Sequence, residues 1–402
     1  MENCYLGNKS LDEIFSFFNE LNNDQSHFET KDDICTPMEC VKLMVDYVPE
    51  EFWKRDSIKI LDPCCGNGNF GAYCNSKTNP DNIYYNELNV QRYENCKALL
   101  RPNHITNDNF FDFSVFNGTY DLITANPPYS GGGNKNRSLS NAFIEHSIEL
   151  LNDKGYLCFI TPNNWMTYNN NNKTLKMLLN EGSFLVINND VKKFFPKVGS
   201  SFTIFIWQKG VFNIETMVIN NYLVKDTQKV NIPKDIPFIP LYITQTVIDL
   251  VGKLISDKPS KFNYRCDLHN YTQSKYLSDT QDDTFKYETI HTLRKTRYAS
   301  KKQDIYDKWL IIIPLSTYYI PEVMHHVNTT QSVGYFAFDT KEMAESYLKI
   351  ITKPQFKLLI HLTRYGNFNN IMVLKHLDFD SKLELTLEEN CLINRLCEKI
   401  NY

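Results

Sequence analysis

The 402-residue sequence has no run of about 18 apolar residues, the length a membrane-crossing helix requires. Its opening, Met1-Glu2-Asn3-Cys4, has the features of neither a signal peptide nor an Arg-rich transit peptide. Membrane spanning and secretion are therefore not expected; an intracellular protein is, cytoplasmic or associated with the nucleoid, from a prokaryote or a large DNA virus. C-x-x-C pairs are missing too: eleven cysteines are scattered, and Cys64 and Cys65 are adjacent, which no single metal site favours. In a reducing compartment that pattern predicts no disulfide framework and no metal site. There is no internal repeat, no low-complexity tract beyond the Asn run at 169–172, and no recognisable nuclease motif. Net charge is also small, at -4. What is present is 42% hydrophobic and 13% aromatic residues with a mean hydropathy of -0.41. That composition fits folded cores, and the length fits two domains.

The small net charge is unevenly distributed. Residues 1–150 hold 12 Lys and Arg against 22 Asp and Glu, and the remainder holds 31 against 25. An acidic first part followed by a basic one suggests that the two meet different partners, although a solvated surface also fluctuates this much.

Apolar positions at Leu11, Ile14, Phe15, Phe18 and Leu21 predict a short helix, and Thr36-Pro37 opens a second through Val48. After it, short apolar runs alternate with helical patterns. Strands are predicted at 58–62, 82–87, 120–125, 156–160 and 202–207, with helices near 93–100, 142–151 and 174–179. This alternation predicts an α/β, Rossmann-like, mostly parallel sheet covered on both faces. Pro233, Pro237 and Pro240 punctuate a polar stretch that reads as a linker over 225–240. It divides an N-terminal domain, 1–230, from a C-terminal α+β domain, 235–402. In the latter a helix is expected at 242–255, an irregular region to about 308, strands at 309–314 and 333–338, and helices at 342–351 and 355–362.

Three strand ends carry the chemistry. Asp62-Pro63-Cys64-Cys65-Gly66-Asn67-Gly68-Asn69-Phe70 follows the first strand, and its two glycines let backbone approach a ligand at the carboxyl edge of a parallel sheet. It is not G-x-G-x-x-G, which disfavours a dinucleotide site. Glu87, ending the second predicted strand, is placed to accept ribose hydroxyls, or is an ordinary solvated glutamate. Asn126-Pro127-Pro128-Tyr129 ends the strand at 120–125. Its prolines fix φ and remove N–H donors, leaving a rigid turn rich in carbonyl acceptors beside an amide and an aromatic ring. Such a turn suits an exocyclic amine on a flat ring: the Asn126 amide oxygen and the Pro127 carbonyl each accept one N–H while Tyr129 stacks on the base. The lone pair of an amine held in this way is freed to attack a methyl group held in line.

In these features the sequence resembles the S-adenosylmethionine-dependent DNA adenine-N6 methyltransferases of the gamma motif order, over about residues 28–210. That family's Thr-Pro segment, D-P-x-C-G-x-G-x-F turn, acidic strand end, D-x-F element and N-P-P-Y are matched here by Thr36-Pro37, Asp62 to Phe70, Glu87, Asp108-Asn109-Phe110 and Asn126 to Tyr129. The resemblance implies methyl transfer from S-adenosylmethionine to adenine N6 in duplex DNA after base flipping. By the same resemblance Thr36, Pro37, Asp62, Cys64 and Gly66 contact the cofactor, Glu87 takes its ribose and Asp108 with Phe110 its adenine. Asp112 or Asn107 would replace Asp108 under a shifted alignment. Phe195 resembles the ring on the second face of the flipped base, with Phe194, Phe202 or a plain core role as alternatives. The glycine-rich stretch 131–137 resembles a loop that orders on DNA, and the C-terminal domain resembles a target-recognition domain in position and size.

Within that second domain, Lys286, Arg294, Lys295, Arg297, Lys301 and Lys302 face a single acid, Glu288, with Tyr287, His291 and Tyr298 interleaved. Of these, Arg294, Lys295, Arg297, Lys301 and Lys302 are the expected DNA contacts, with residues 364–369 as a second loop of suitable chemistry. A monomer or weak dimer is expected, and any restriction activity would belong to a separate endonuclease. The alternatives are an N-P-P-Y methyltransferase acting on RNA or a protein glutamine, and a catalytically silent DNA-binding subunit.

Overall fold

The computed structural model describes residues 5–23, 35–112, 115–116, 118–129, 138–169, 172–196, 201–256, 262–266, 275–292, 295–316 and 318–400. The chain forms two compact units. The first comprises Met1–Trp165, Asn172–Asn221 and Lys225–Asp235, and the second Met166–Asn171, Tyr222–Val224 and Ile236–Tyr402.

The first unit is built on nine strands: β1 Ile60–Asp62, β2 Ile83–Asn86, β3 His104–Thr106, β4 Tyr120–Ala125, β5 Leu151–Pro162, β6 Gly182–Asn188, β7 Phe202–Lys209, β8 Thr216–Tyr222 and β9 Val224–Val230. They lie in the order β3-β2-β1-β4-β5-β7-β6-β8-β9. Pairing is parallel from β3 through β5, with Ile60 opposite both Ile83 and Leu122. It turns antiparallel where β7 meets β5 and β6. Every residue of β1 is buried, as are residues 155–162 of β5, the pattern of strands covered on both faces. The helices are α1 Leu11–Asn23, α2 Met38–Asp46, α3 Glu50–Trp53, α4 Asn69–Cys74, α5 Val90–Leu100, α6 Leu139–Leu150 and α7 Lys173–Glu181. The apolar faces of α1 to α5 join the sheet in one core that includes Phe18, Val41, Met44, Ile60, Phe70 and Ile204. The predicted α/β, mostly parallel, Rossmann-like sheet is therefore present.

The second unit carries α8 Gln245–Leu254, then β10 Leu277–Ser278, β11 Tyr287–Thr292, β12 Lys295–Ala299, β13 Trp309–Pro314, β14 Glu322–His325, β15 Asn328–Thr329 and β16 Val333–Phe338. Four helices follow: α9 Lys341–Ile351, α10 Pro354–His361, α11 Ile371–His376 and α12 Leu387–Cys397. Two small sheets form, β10-β12-β11-β15 and β14-β13-β16. Thr244, Thr340 and Thr386 each cap a helix by accepting a backbone N–H, which explains why α8, α9 and α12 start where they do.

Two expectations fail here. Residues 225–240 are no solvated linker. Lys225 to Val230 lie in edge strand β9, whose alternating exposure hides its period in a polar sequence. Phe238 and Ile239 are fully buried core of the second unit. The supposedly irregular region before 308 holds β10, β11 and β12, which are half-exposed and thus too polar to read as strands.

Candidate functional site

The carboxyl ends of β1, β2 and β4 open onto a cavity of about 680 Å³ lined by Thr36, Cys64, Gly66, Glu87, Phe110 and all four residues of Asn126-Pro127-Pro128-Tyr129. That volume lies in the range of small-molecule sites, roughly 300–1,000 Å³. Of the other expected site residues, Pro37, Asp62, Asp108 and Phe195 are not part of the lining.

The glycine turn explains its own residues. Gly66 has φ +57, and a Cβ built on it meets nothing within 4 Å, so its backbone is bare to the cavity. Gly68 has φ +98 and is hemmed in on the other side: a Cβ there would lie 2.6 Å from Leu100 Cδ1 and 3.0 Å from Cys96 Sγ. One glycine thus serves approach to a ligand and the other serves packing of α5. The Glu87 carboxylate braces this turn, accepting from the Gly66 N–H at 2.7 Å and the Asn89 N–H at 2.8 Å. It is a buried acid held on backbone amides, which removes the reading as a solvated glutamate.

Asp62 is 1% exposed, and neither carboxylate oxygen completes a hydrogen bond. Burial pushes its pKa well up; the nearby Cys64 backbone N–H opposes the shift and the Glu87 charge adds to it. Burial likewise pushes the Cys64 thiol up, so Cys64 is no thiolate nucleophile. Its Sγ lies 3.7 Å from the Asn126 carbonyl oxygen and ties the glycine turn to the N-P-P-Y turn.

Around Asn126 the amide is oriented from both ends. Its Nδ2 donates to Thr36 Oγ1 at 3.0 Å, and its Oδ1 accepts from the Tyr129 hydroxyl at 2.7 Å. Burial raises the Tyr129 pKa, keeping the phenol a neutral donor. The Tyr129 ring sits 5.1 Å from Phe202 at 51°, and Phe202 in turn 5.8 Å from Phe195. Phe195 is 4% exposed and Phe202 5%, both within the core, and Phe202 is the ring beside Tyr129.

Phe110 stacks on Phe143 at 5.0 Å and forms an apolar wall with Phe111. Asp108 is bound through its backbone: its N–H donates to Asn86 Oδ1, and its carbonyl accepts from Asn86 Nδ2, both at 3.1 Å. Asn86 also donates to the Pro63 carbonyl at 3.0 Å. Asn69 Nδ2 donates to the Thr36 carbonyl at 2.8 Å. These two buried asparagines clamp the loops, and their signal was available only as asparagines beside glycines and strand ends. Leu88, Arg92 and Asn109 also line the cavity, and no sequence pattern singled them out. The buried unpartnered carboxylate, the bare Gly66 backbone and the braced acid at the end of β2 fit a cationic nucleoside such as S-adenosylmethionine.

In the second unit, Lys295 and Arg297 lie on β12 and share Asp279, at 3.3 and 2.8 Å, while Lys302 pairs with Asp307 at 3.1 Å. Lys301 is exposed; Arg294 and the stretch 131–137 lie outside the described residues. The Arg364 guanidinium is buried rather than offered to a ligand, bonded to Asn369 Oδ1 and the Asn367 carbonyl, each at 2.6 Å. No helix among the described residues is long and apolar enough to cross a membrane.

Residues 69–195 match the family described as Eco57I restriction-modification methylase, which bears out the resemblance drawn from the motifs. Among curated proteins, the Type II methyltransferase M.HincII of Haemophilus influenzae is 26% identical over 268 residues, covering 61% of this chain and 51% of its own. The Ribosomal RNA small subunit methyltransferase C of Klebsiella pneumoniae is 30% identical over 101 residues, covering 25% of this chain and 30% of its own. The chain thus spans about half the length of the first of these relatives. The DrdV–DNA complex is similar in fold, with TM-score 0.58 at 9% identity over 98% of this chain and 60% of that one.

Proposed function

We propose that this relative of the restriction-modification methylases is a site-specific DNA methyltransferase that transfers a methyl group from S-adenosylmethionine to adenine N6 in duplex DNA. One observation carries the reading. Asn126 to Tyr129, Gly66 and Glu87 converge on a single cavity, so an amine acceptor and a nucleoside site share one space. The cofactor, when bound, supplies an electrophilic methyl group on a sulfonium. Asp62 would supply the buried negative charge that the cationic end of the ligand needs, Gly66 the close backbone, Glu87 the hydroxyl acceptor and Phe110 the apolar wall.

Asn126 Oδ1 and the Pro127 carbonyl would each accept a hydrogen bond from one N–H of the target amine. Thr36 and Tyr129 fix the amide so that no reorientation is needed at the moment of attack. Asn126 and the Pro127 carbonyl take up the growing positive charge on nitrogen, and the proton leaves after transfer. Tyr129, backed by Phe202, would stack on the flipped base. The second unit would read the target, and any restriction activity would belong to a separate endonuclease.

RNA is the second reading, favoured by the match to the ribosomal RNA methyltransferase. Labelled methyl transfer to unmodified duplex DNA, with RNA and translation-factor controls, separates the two. Label in DNA, mapped to adenine N6, is expected. Label confined to RNA or protein would overturn the substrate assignment, and cofactor binding with no transfer to DNA of diverse sequence would indicate a silent subunit.

A further inference from the structure

The chain between Ser346 and Leu377 contains Lys349, Lys353, Lys357, Arg364 and Lys375 and no Asp or Glu, in a protein whose net charge is -4. Residues 308–321 are likewise free of acids. The two stretches meet in the second unit. The Tyr319 hydroxyl donates to the Ile351 carbonyl at 3.1 Å, which brings the end of α9 to the loop at 318–320. Tyr318 lies over His361, at the end of α10, at 6.4 Å and 14°. The Arg364 guanidinium sits 5.1 Å from the Tyr318 ring centroid.

The surface that these two stretches share exposes apolar rings. Phe368 is 61% exposed and Tyr318 49%. Phe368 is not on a slack loop: the two Arg364 bonds fall on either side of it, at Asn367 and Asn369. Asn369 is stapled in turn to the end of β13, through its N–H to the Leu315 carbonyl at 2.9 Å and its Nδ2 to the Pro314 carbonyl at 2.7 Å. A phenylalanine held out into water on a rigid loop costs hydration free energy that burial elsewhere would avoid. Lys349, Lys353 and Lys375 are exposed, in contrast to the paired Lys295, Arg297 and Lys302.

We propose that this surface docks nucleic acid, with Lys349 and Lys353 on phosphates and Phe368 and Tyr318 against bases at an opened or distorted step. Rings need an exposed base face to stack on, and cations beside them need the backbone of the same strand. Acidic proteins would satisfy the lysines without using the rings, and an apolar partner would use the rings without the lysines. The inference deepens the proposed function and rests on it for the choice of DNA over other polyanions.

The test uses the full chain and a labelled random-sequence duplex, read by fluorescence anisotropy over a salt series without cofactor, so that it does not depend on methyl transfer. The double variant Lys349→Glu/Lys353→Glu is expected to bind about tenfold more weakly and to lower the salt slope by about 2. Phe368→Ala is expected to weaken binding to a duplex with a mismatched step by about tenfold and to a fully paired one by less, with Phe368→Trp restoring it. Unchanged affinity and slope in the folded double variant, or a wild-type chain that binds no duplex, would overturn the surface. Duplex binding that falls in these variants while label goes only to RNA would instead uphold the surface and overturn the proposed substrate.

Discussion

The first unit keeps the polar groups of its candidate site inside, and the second holds those of its proposed surface outside. Asp62, Asn86 and Glu87 are buried at strand ends; Asn86 and Glu87 are bonded to backbone within the site, and Asp62 carries a well-raised pKa. In the second unit Lys349, Lys353 and Phe368 are exposed, and the buried Arg364 does structural work within its own loop. Buried polar groups need fixed partners at fixed spacing, because leaving one unmade costs the full desolvation penalty. Exposed groups are held to no such spacing, so many sequences can provide the same surface.

Breaking the first unit's site should therefore cost far more than altering any one residue of the second. The largest effect is expected from Asn126→Ala, which lowers methyl transfer on the order of 10²- to 10³-fold with cofactor affinity little changed. Single-turnover rates and equilibrium binding measured on the same preparation check this. Next is Asp62→Asn. A ligand cation favours the ionised carboxylate, so binding to the wild type should release a proton and tighten as pH rises. The variant should bind about tenfold more weakly and without that pH dependence, by calorimetry in buffers of different ionisation enthalpy. Without ligand, a raised carboxyl pKa means that Asp62 favours the fold most at low pH and less as pH rises through its folded value.

A smaller effect is expected of Gly68→Ala, where the +98° φ and the Leu100 contact should together cost on the order of 1–3 kcal/mol, measured by denaturant unfolding. The smallest belongs to the second unit. Burial, with the Arg364 charge adding, pulls the His361 pKa down to about 4 from an ordinary 6.5. The unfolded chain takes up that proton first, so stability present above 6.5 declines as pH falls toward about 4. His361→Phe should flatten this slope in thermal unfolding, and an unchanged slope would place the acid sensitivity elsewhere.

The same contrast accounts for what the sequence disclosed. The strand at Trp309–Pro314 and that at Val333–Phe338 were legible to the residue because short, nearly continuous apolar runs admit few other readings. Edge strand β9 was not, because its sequence, Val-Lys-Asp-Thr-Gln-Lys-Val, buries only its last residue. Asn126 and Glu87 could be read from their place after apolar runs. Asn86 and Asn69 could not be assigned roles, since an asparagine's partner is set by tertiary approach over 23 and 33 residues. Phe195 was left open between a stacking and a core role for a related reason: sequence distinguishes poorly between a ring that lines a cavity and one buried in the core.

Thr36 meets Asn69 across 33 residues of chain and Asn126 across 90. None of these bonds depends on which segment is synthesised first. A gene rearranged so that the segment bearing Thr36 followed β9 could rebuild the same contacts, provided its new connections could span the distance. The linear order of these motifs is thus a record of ancestry, and catalysis itself places no demand on it.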